Sequence, residues 1–156
     1  MLKKLICVIM IGILCFSFVG CSETEVSTGD SVQEKKGFEE VVFVDDESCS
    51  FKITDIKDDS IWGYTLKAEL ENKSEKNLMF SMDEVSVNGF MCDPFWATSV
   101  QSGKKAKSDI SFSTESFEEL GIEEVEEIEF TLSIYNEDDW MEKRLVEEVF
   151  TLTIKK

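Results

Sequence analysis

Histidine is absent from this chain of 156 residues. Its absence removes the commonest general base and the commonest zinc ligand, and with them catalytic triads and ordinary zinc-hydrolase sites. Cations are scarce: 16 Lys and Arg stand against 33 Asp and Glu, a formal net charge of −17. A surface of that sign repels phosphate backbones and excludes nucleic acid as a partner. Proline occurs once, at Pro94. The longest uncharged apolar run, Leu5 to Val19, has 15 residues, against the roughly 20 that a bilayer crossing requires. Apolar residues as a class are not scarce. They make up 42% of the chain, with 12 Phe, 3 Trp and 2 Tyr, too many for a disordered acidic polymer and enough for the core of one domain.

The apolar run has the form of a secretory signal, with Lys3 and Lys4 supplying the positive region before it. At its end Phe18-Val19-Gly20-Cys21-Ser22 resembles the lipobox of bacterial lipoproteins, with Phe18 where Leu is usual. The resemblance implies cleavage before Cys21 and a diacylglyceryl group on its thiol. A second acyl chain is what makes such an anchor stable, since one holds only marginally. Residues 1–20 are then a lipoprotein signal peptide, and the mature protein sits on the extracytoplasmic face of the cell membrane. An uncleaved signal anchor, or an ordinary signal with an accidental Cys, is the plainer alternative; Cys7 and Cys15 lie in the same run.

Removing residues 1–20 leaves 14 basic and 33 acidic residues, or −19, which pushes the protein away from anionic headgroups. Residues 22–40, SETEVSTGDSVQEKKGFEE, are polar and without period. With Cys21 they read as a disordered tether, of r.m.s. span roughly 25 Å.

Residues 41–156 read as strands. From Trp62 to Glu71 the even positions are apolar and the odd ones are Gly, Thr, Lys and Glu, the period of a half-buried strand. Ile128–Ile134 and Phe150–Ile154 repeat it. Weaker runs are Val41–Val44, Phe51–Ile56, Leu78–Met82 and Ser108–Phe112. Asn88-Gly89 between apolar pairs marks a type I′ hairpin. One helical turn is expected near Phe117–Leu120, with Ser116 and Glu119 as a capping box and Gly121 as the stop. About seven such strands predict an all-β, immunoglobulin-like β-sandwich, with a small closed barrel as the other architecture.

Leu70–Phe80, Val85-Ser-Val-Asn-Gly89, Asp93-Pro-Phe-Trp96, Ile128-Glu-Phe130 and Tyr135–Trp140 together resemble single-domain lipoproteins of clostridia and their relatives. Those carry an immunoglobulin-like domain of unknown function. The resemblance implies a fold and a location, and no activity.

Candidate sites follow from residue type. Acidic clusters at Asp45-Asp46-Glu47, at Asp55 with Asp58-Asp59, and at Asn136-Glu137-Asp138-Asp139 fall between strands. Calcium takes six to eight oxygens, and Asp138 and Asp139 are the weak candidates for it; no cluster has the spacing of a dedicated loop, and solvated turn residues are the plainer reading. Phe95, Trp96 and Trp140 lie in irregular stretches, where exposed aromatics would form a platform for a peptide or sugar. The plainer reading has them capping the open end of the sandwich, as Trp62 packs in its core. Cys49 shares parity with Phe51, and Cys92 with Phe90, so both face inward; outside the cytoplasm they either form a disulfide or remain buried free thiols.

Three functions stand at this point. One is a binding or adaptor module that recognises an unknown protein, peptide or glycan through loops or sheet edges. A second is a structural envelope lipoprotein without a small ligand. A third, a hydrolase using paired carboxylates, lacks any spacing that singles out a pair, so the expectation is a protein that is not an enzyme and needs no cofactor. An exposed aromatic patch favours the first, and a deep pocket with two carboxylates of split pKa the third.

Overall fold

The alternating segments become nine strands and one short helix in the computed structural model, which describes residues 38–60 and 63–155. The expected signal peptide, Cys21, the tether as far as residue 37 and Trp62 lie outside the described residues. One antiparallel sheet runs in the order β1 (Val41–Asp45), β2 (Cys49–Ser60), β3 (Gly63–Asn72), β7 (Lys105–Phe112). The second runs β5 (Phe90–Met91), β4 (Leu78–Val87), β8 (Glu127–Asn136), β9 (Val146–Thr153), and β6 (Ala97–Val100) also pairs with β4. The chain is therefore an all-β sandwich. With β2, β3 and β7 as strands A, B and E and β4, β8 and β9 as C, F and G, its pairing is immunoglobulin-like. β6, in the place of strand D, joins β4 instead of extending the first sheet. Strands β5 and β6 account for the excess over seven, being too short for a period to show in the sequence.

On β3, Leu66, Ala68 and Leu70 are buried while Lys67, Glu69 and Glu71 face outward. Those outer positions meet Asp109, Lys107 and Lys105 of β7 in register, an alternating charge ladder that solvates the face; each exposed pair contributes at most about 1 kcal/mol. Thr65 departs from the alternation: it is buried, its hydroxyl 3.0 Å from that of Ser111. Between the sheets lies a largely aromatic centre, with Phe43, Phe51, Phe130 and Phe150 in edge and tilted contact.

The connections explain the ends. Asn88 (φ +50°) and Gly89 (φ +83°) form the expected hairpin. The Asn88 side chain does more than permit the turn, since its Nδ2 donates to Glu124 O at 2.7 Å and its Oδ1 accepts from the amides of Glu126 and Glu127. The helix α1 (Thr114–Leu120) begins earlier than expected. Its N-cap is Ser113, which accepts from the Ser116 amide at 3.1 Å, so Ser116 is the third residue of the helix and not its cap; Gly121 stops the helix at φ +67°.

Pairing fixes which loops share an end. Val41 pairs with Ile53 and Asp45 with Ser50, so the chain enters from the end holding the β2–β3 turn, the Asn88-Gly89 hairpin and α1. Phe38, placed in the tether by the sequence, already packs against the core there. At the far end lie the turns after β1, β3, β6 and β8.

Candidate functional site

The far end is held by asparagines. Asn72, fully buried at the end of β3, donates from Nδ2 to Lys76 O (2.7 Å) and Val100 O (2.8 Å) and accepts at Oδ1 from the Ser74 amide and hydroxyl. Every hydrogen-bonding capacity of that amide is used. Asn77 carries the order onward: its carbonyl accepts from the Glu137 amide at 2.9 Å, and its Oδ1 accepts from the Ser102 amide. Asn136 closes the set, donating to Glu142 at 2.9 Å and accepting from the Asp138 amide at 3.1 Å.

These bonds brace the loop between β8 and β9. Glu137 accepts from the Ser99 hydroxyl, and Glu142 pairs with Lys76. That pairing, with the Asn136 bond behind it, holds the Glu142 carboxyl below the ordinary value of 4.5. At the return of the loop Arg144, the single arginine of the sequence, donates to Ser133 at 2.7 Å, pairs with Glu147 and lies over the Tyr135 ring. Its coverage is why Ser133 is buried although its parity points outward. A groove of about 270 Å³ runs beside it, past Asp83, Glu84 and Thr131.

On this braced loop Trp140 is 77% and Met141 79% exposed. Apolar side chains of that size, held out by a fixed backbone, lose little further order when covered. Asp138 and Asp139 serve the turn. Asp138 accepts from Asn77 Nδ2 and Asp139 from the Met141 amide at 3.2 Å. Among the described residues no three His, Cys, Asp or Glu side chains converge as metal ligands would.

Of the three expected platform aromatics, one is corrected. Trp96 is only 8% exposed: its indole N–H donates to Ser108 of the opposite sheet at 2.9 Å, and its ring lies 5.9 Å from that of Phe51. A satisfied N–H lets the indole join the core. Phe95, by contrast, is 92% exposed. It holds φ +50°, an outlier for a bulky residue, with its amide donated to Asp93 at 2.7 Å. Phe90 and Met91, also exposed, pair with β4, and Phe95 follows them before β6, on a different loop from Trp140. The sequence singled out neither Met141 nor Phe90 and Met91 as surface, since nothing in a lone apolar residue marks it as exposed.

Of the two readings open for Cys49 and Cys92, the disulfide is ruled out and the buried free thiols stand. Both residues are buried, as parity requires, but both are free thiols. Cys49 is level with Asn72, whose side chain meets Val100 opposite Leu78. The Cys92 amide bonds Val85, seven residues further along β4. At about 3.3 Å per residue the two lie roughly 20 Å apart, against a Cα limit near 7 Å. Burial pushes the Cys49 thiol up to about 12, which makes it inert. Among the described residues no helix is long and apolar enough to cross a membrane.

Compared with models of known protein families, with curated proteins and with solved structures, the chain has no match.

Proposed function

We propose that this protein is a lipid-anchored, extracytoplasmic binding module that meets a partner protein through the loop between β8 and β9. One observation carries the reading: Trp140 and Met141 stand exposed on a loop braced by Asn77, Asn136 and Arg144. The loop lies at the end opposite the one where the chain enters. Buried aromatic anchors with fixed geometry are what dominate protein interfaces. The resemblance of residues 18–22 to a lipobox supports the anchor, and the resemblance to clostridial lipoproteins supports the location. A purely structural envelope protein has no use for a rigid loop presenting Trp and Met to solvent.

Two experiments test the two halves separately. Palmitate labelling should be lost, and an uncleaved precursor retained, on Cys21→Ala; labelling equal to wild type rejects the anchor. A photo-crosslinking residue at position 140, in intact cells, should give a discrete adduct that the same residue at Lys107, on the charge ladder, does not. Identical adducts from both positions would reject the loop as the contact.

A further inference from the structure

Each sheet of the sandwich has two edges, and an edge strand presents a row of N–H and C=O groups that another strand can meet. Three of the four edges are blunted. β1 has five residues and a break in register between Val42 and Val44. β7 carries Lys105, Lys107 and Asp109 at its outward positions. On the third edge β5 and β6 have two and four residues, parted by a stretch that holds Pro94. From Val149 to Thr153 β9 has none of these devices. It pairs with β8 in unbroken register, and no other described strand lies beside it.

The register also says which backbone groups face out. The Ile154 amide donates to Glu126 O at 2.8 Å, which continues the pairing of Leu152 with Ile128 and of Phe150 with Phe130. Backbone direction alternates along a strand, so these even-numbered residues turn toward β8 and the odd-numbered ones turn outward. The odd positions Glu147, Val149, Thr151 and Thr153 also have exposed side chains, as has Lys155 just beyond the strand. Val149 is 64% exposed. Val and Thr at such positions suit a strand neighbour, because β-branched side chains pack well across a pleated surface.

We propose that β9 pairs antiparallel with β9 of a second copy of this chain, about a two-fold axis at Thr151. Thr151 then stands opposite its own mate, Val149 opposite Thr153, and Glu147 opposite Lys155. Charge complementarity selects both the partner and the register. The two-fold brings Glu147 and Lys155 together twice. Glu147 has Arg144 at 3.2 Å and remains 61% exposed, and Lys155 has no ion-pair partner among the described residues. A shift of two residues either way would set Lys155 against Leu145 or Val149 instead. The proposal rests on neither the anchor nor the contact at Trp140.

Cysteine substitutions in the purified full-length chain test it, under brief oxidation with copper phenanthroline. Directly opposed residues of an antiparallel pair have Cα atoms about 5.5 Å apart, within reach of a disulfide. Thr151→Cys should give a linked dimer beyond any that the unchanged chain forms. Val149→Cys and Thr153→Cys should each give little alone, since identical residues would lie about 13 Å apart, but should link when mixed. Glu147→Lys, added to Thr151→Cys, should raise the concentration for half-maximal dimer at least about fivefold, and Lys155→Glu in the same chain should restore it. A Thr151→Cys yield no greater than that of Lys107→Cys, on the β7 edge, would overturn the contact. Linking of Val149→Cys to itself, or a charge swap that restores nothing, would overturn the assigned pairing.

Discussion

Asn72 and Tyr64 stand near opposite ends of β3, on the same face, both buried and both polar. At the far end the β3–β4 loop and the end of β6 close over Asn72, and its side-chain amide makes four hydrogen bonds. At the α1 end a helix and a turn close beside Tyr64, and its hydroxyl makes none. The strand pattern is identical; the difference lies in what the neighbouring loops bring. The contrast teaches that two buried polar groups on one face of one strand are satisfied or orphaned according to which loops close over them.

The largest effect is expected midway between the two, where the strand is pure core. Leu66→Lys would bury an unpaired charge and should cost about 4 kcal/mol, while Lys67→Leu, on the outer face, should change stability by less than about 0.5. Denaturant melts check this, and equal effects at both positions would mean the two faces of β3 are not distinct. Next comes the satisfied end. Asn72→Ala leaves the Lys76 and Val100 carbonyls without donors and should cost about 3 kcal/mol. The unsatisfied end should respond with the opposite sign, since Tyr64→Phe removes an unpaired hydroxyl and should stabilise by about 1 kcal/mol. If both substitutions destabilise, the contrast between the ends fails.

The smallest effect is a pH dependence confined to the far end. Lys76, and then Asn136, hold the folded Glu142 carboxyl below its ordinary value of 4.5. A depressed carboxylate stabilises fully above the unfolded value and loses that contribution as pH falls through the folded one. Amide protection in residues 137–145 should therefore fall below about pH 4.5, while that of β3 holds. Because the group is exposed, the change should be local and salt-sensitive.

Much of the fold was legible. Alternation along β3, β8 and β9 and the Asn88-Gly89 turn are local signals, and they were read correctly because periodicity and turn chemistry depend only on near neighbours. The helix begins three residues before the position its sequence predicts because both Ser113 and Ser116 suit a cap, and only the path of the chain out of β7 decides between them. The site was less legible. Phe95 and Trp140, in irregular stretches, are exposed, whereas Trp96, in the same kind of stretch, is buried, since its burial depends on Ser108 in another sheet.

The sequence by itself determined which residues alternate, where the chain turns, that Cys49 and Cys92 face inward, and that the surface is anionic. All of these follow from composition and from contacts a few residues apart. Only the tertiary structure decided that the two cysteines lie near opposite ends, that Asn77 and Asn136 join to brace one loop, and that Tyr64 goes without a partner. Each of these depends on register and on which loops share an end, and sheet register is set by the packing of strands distant in the chain.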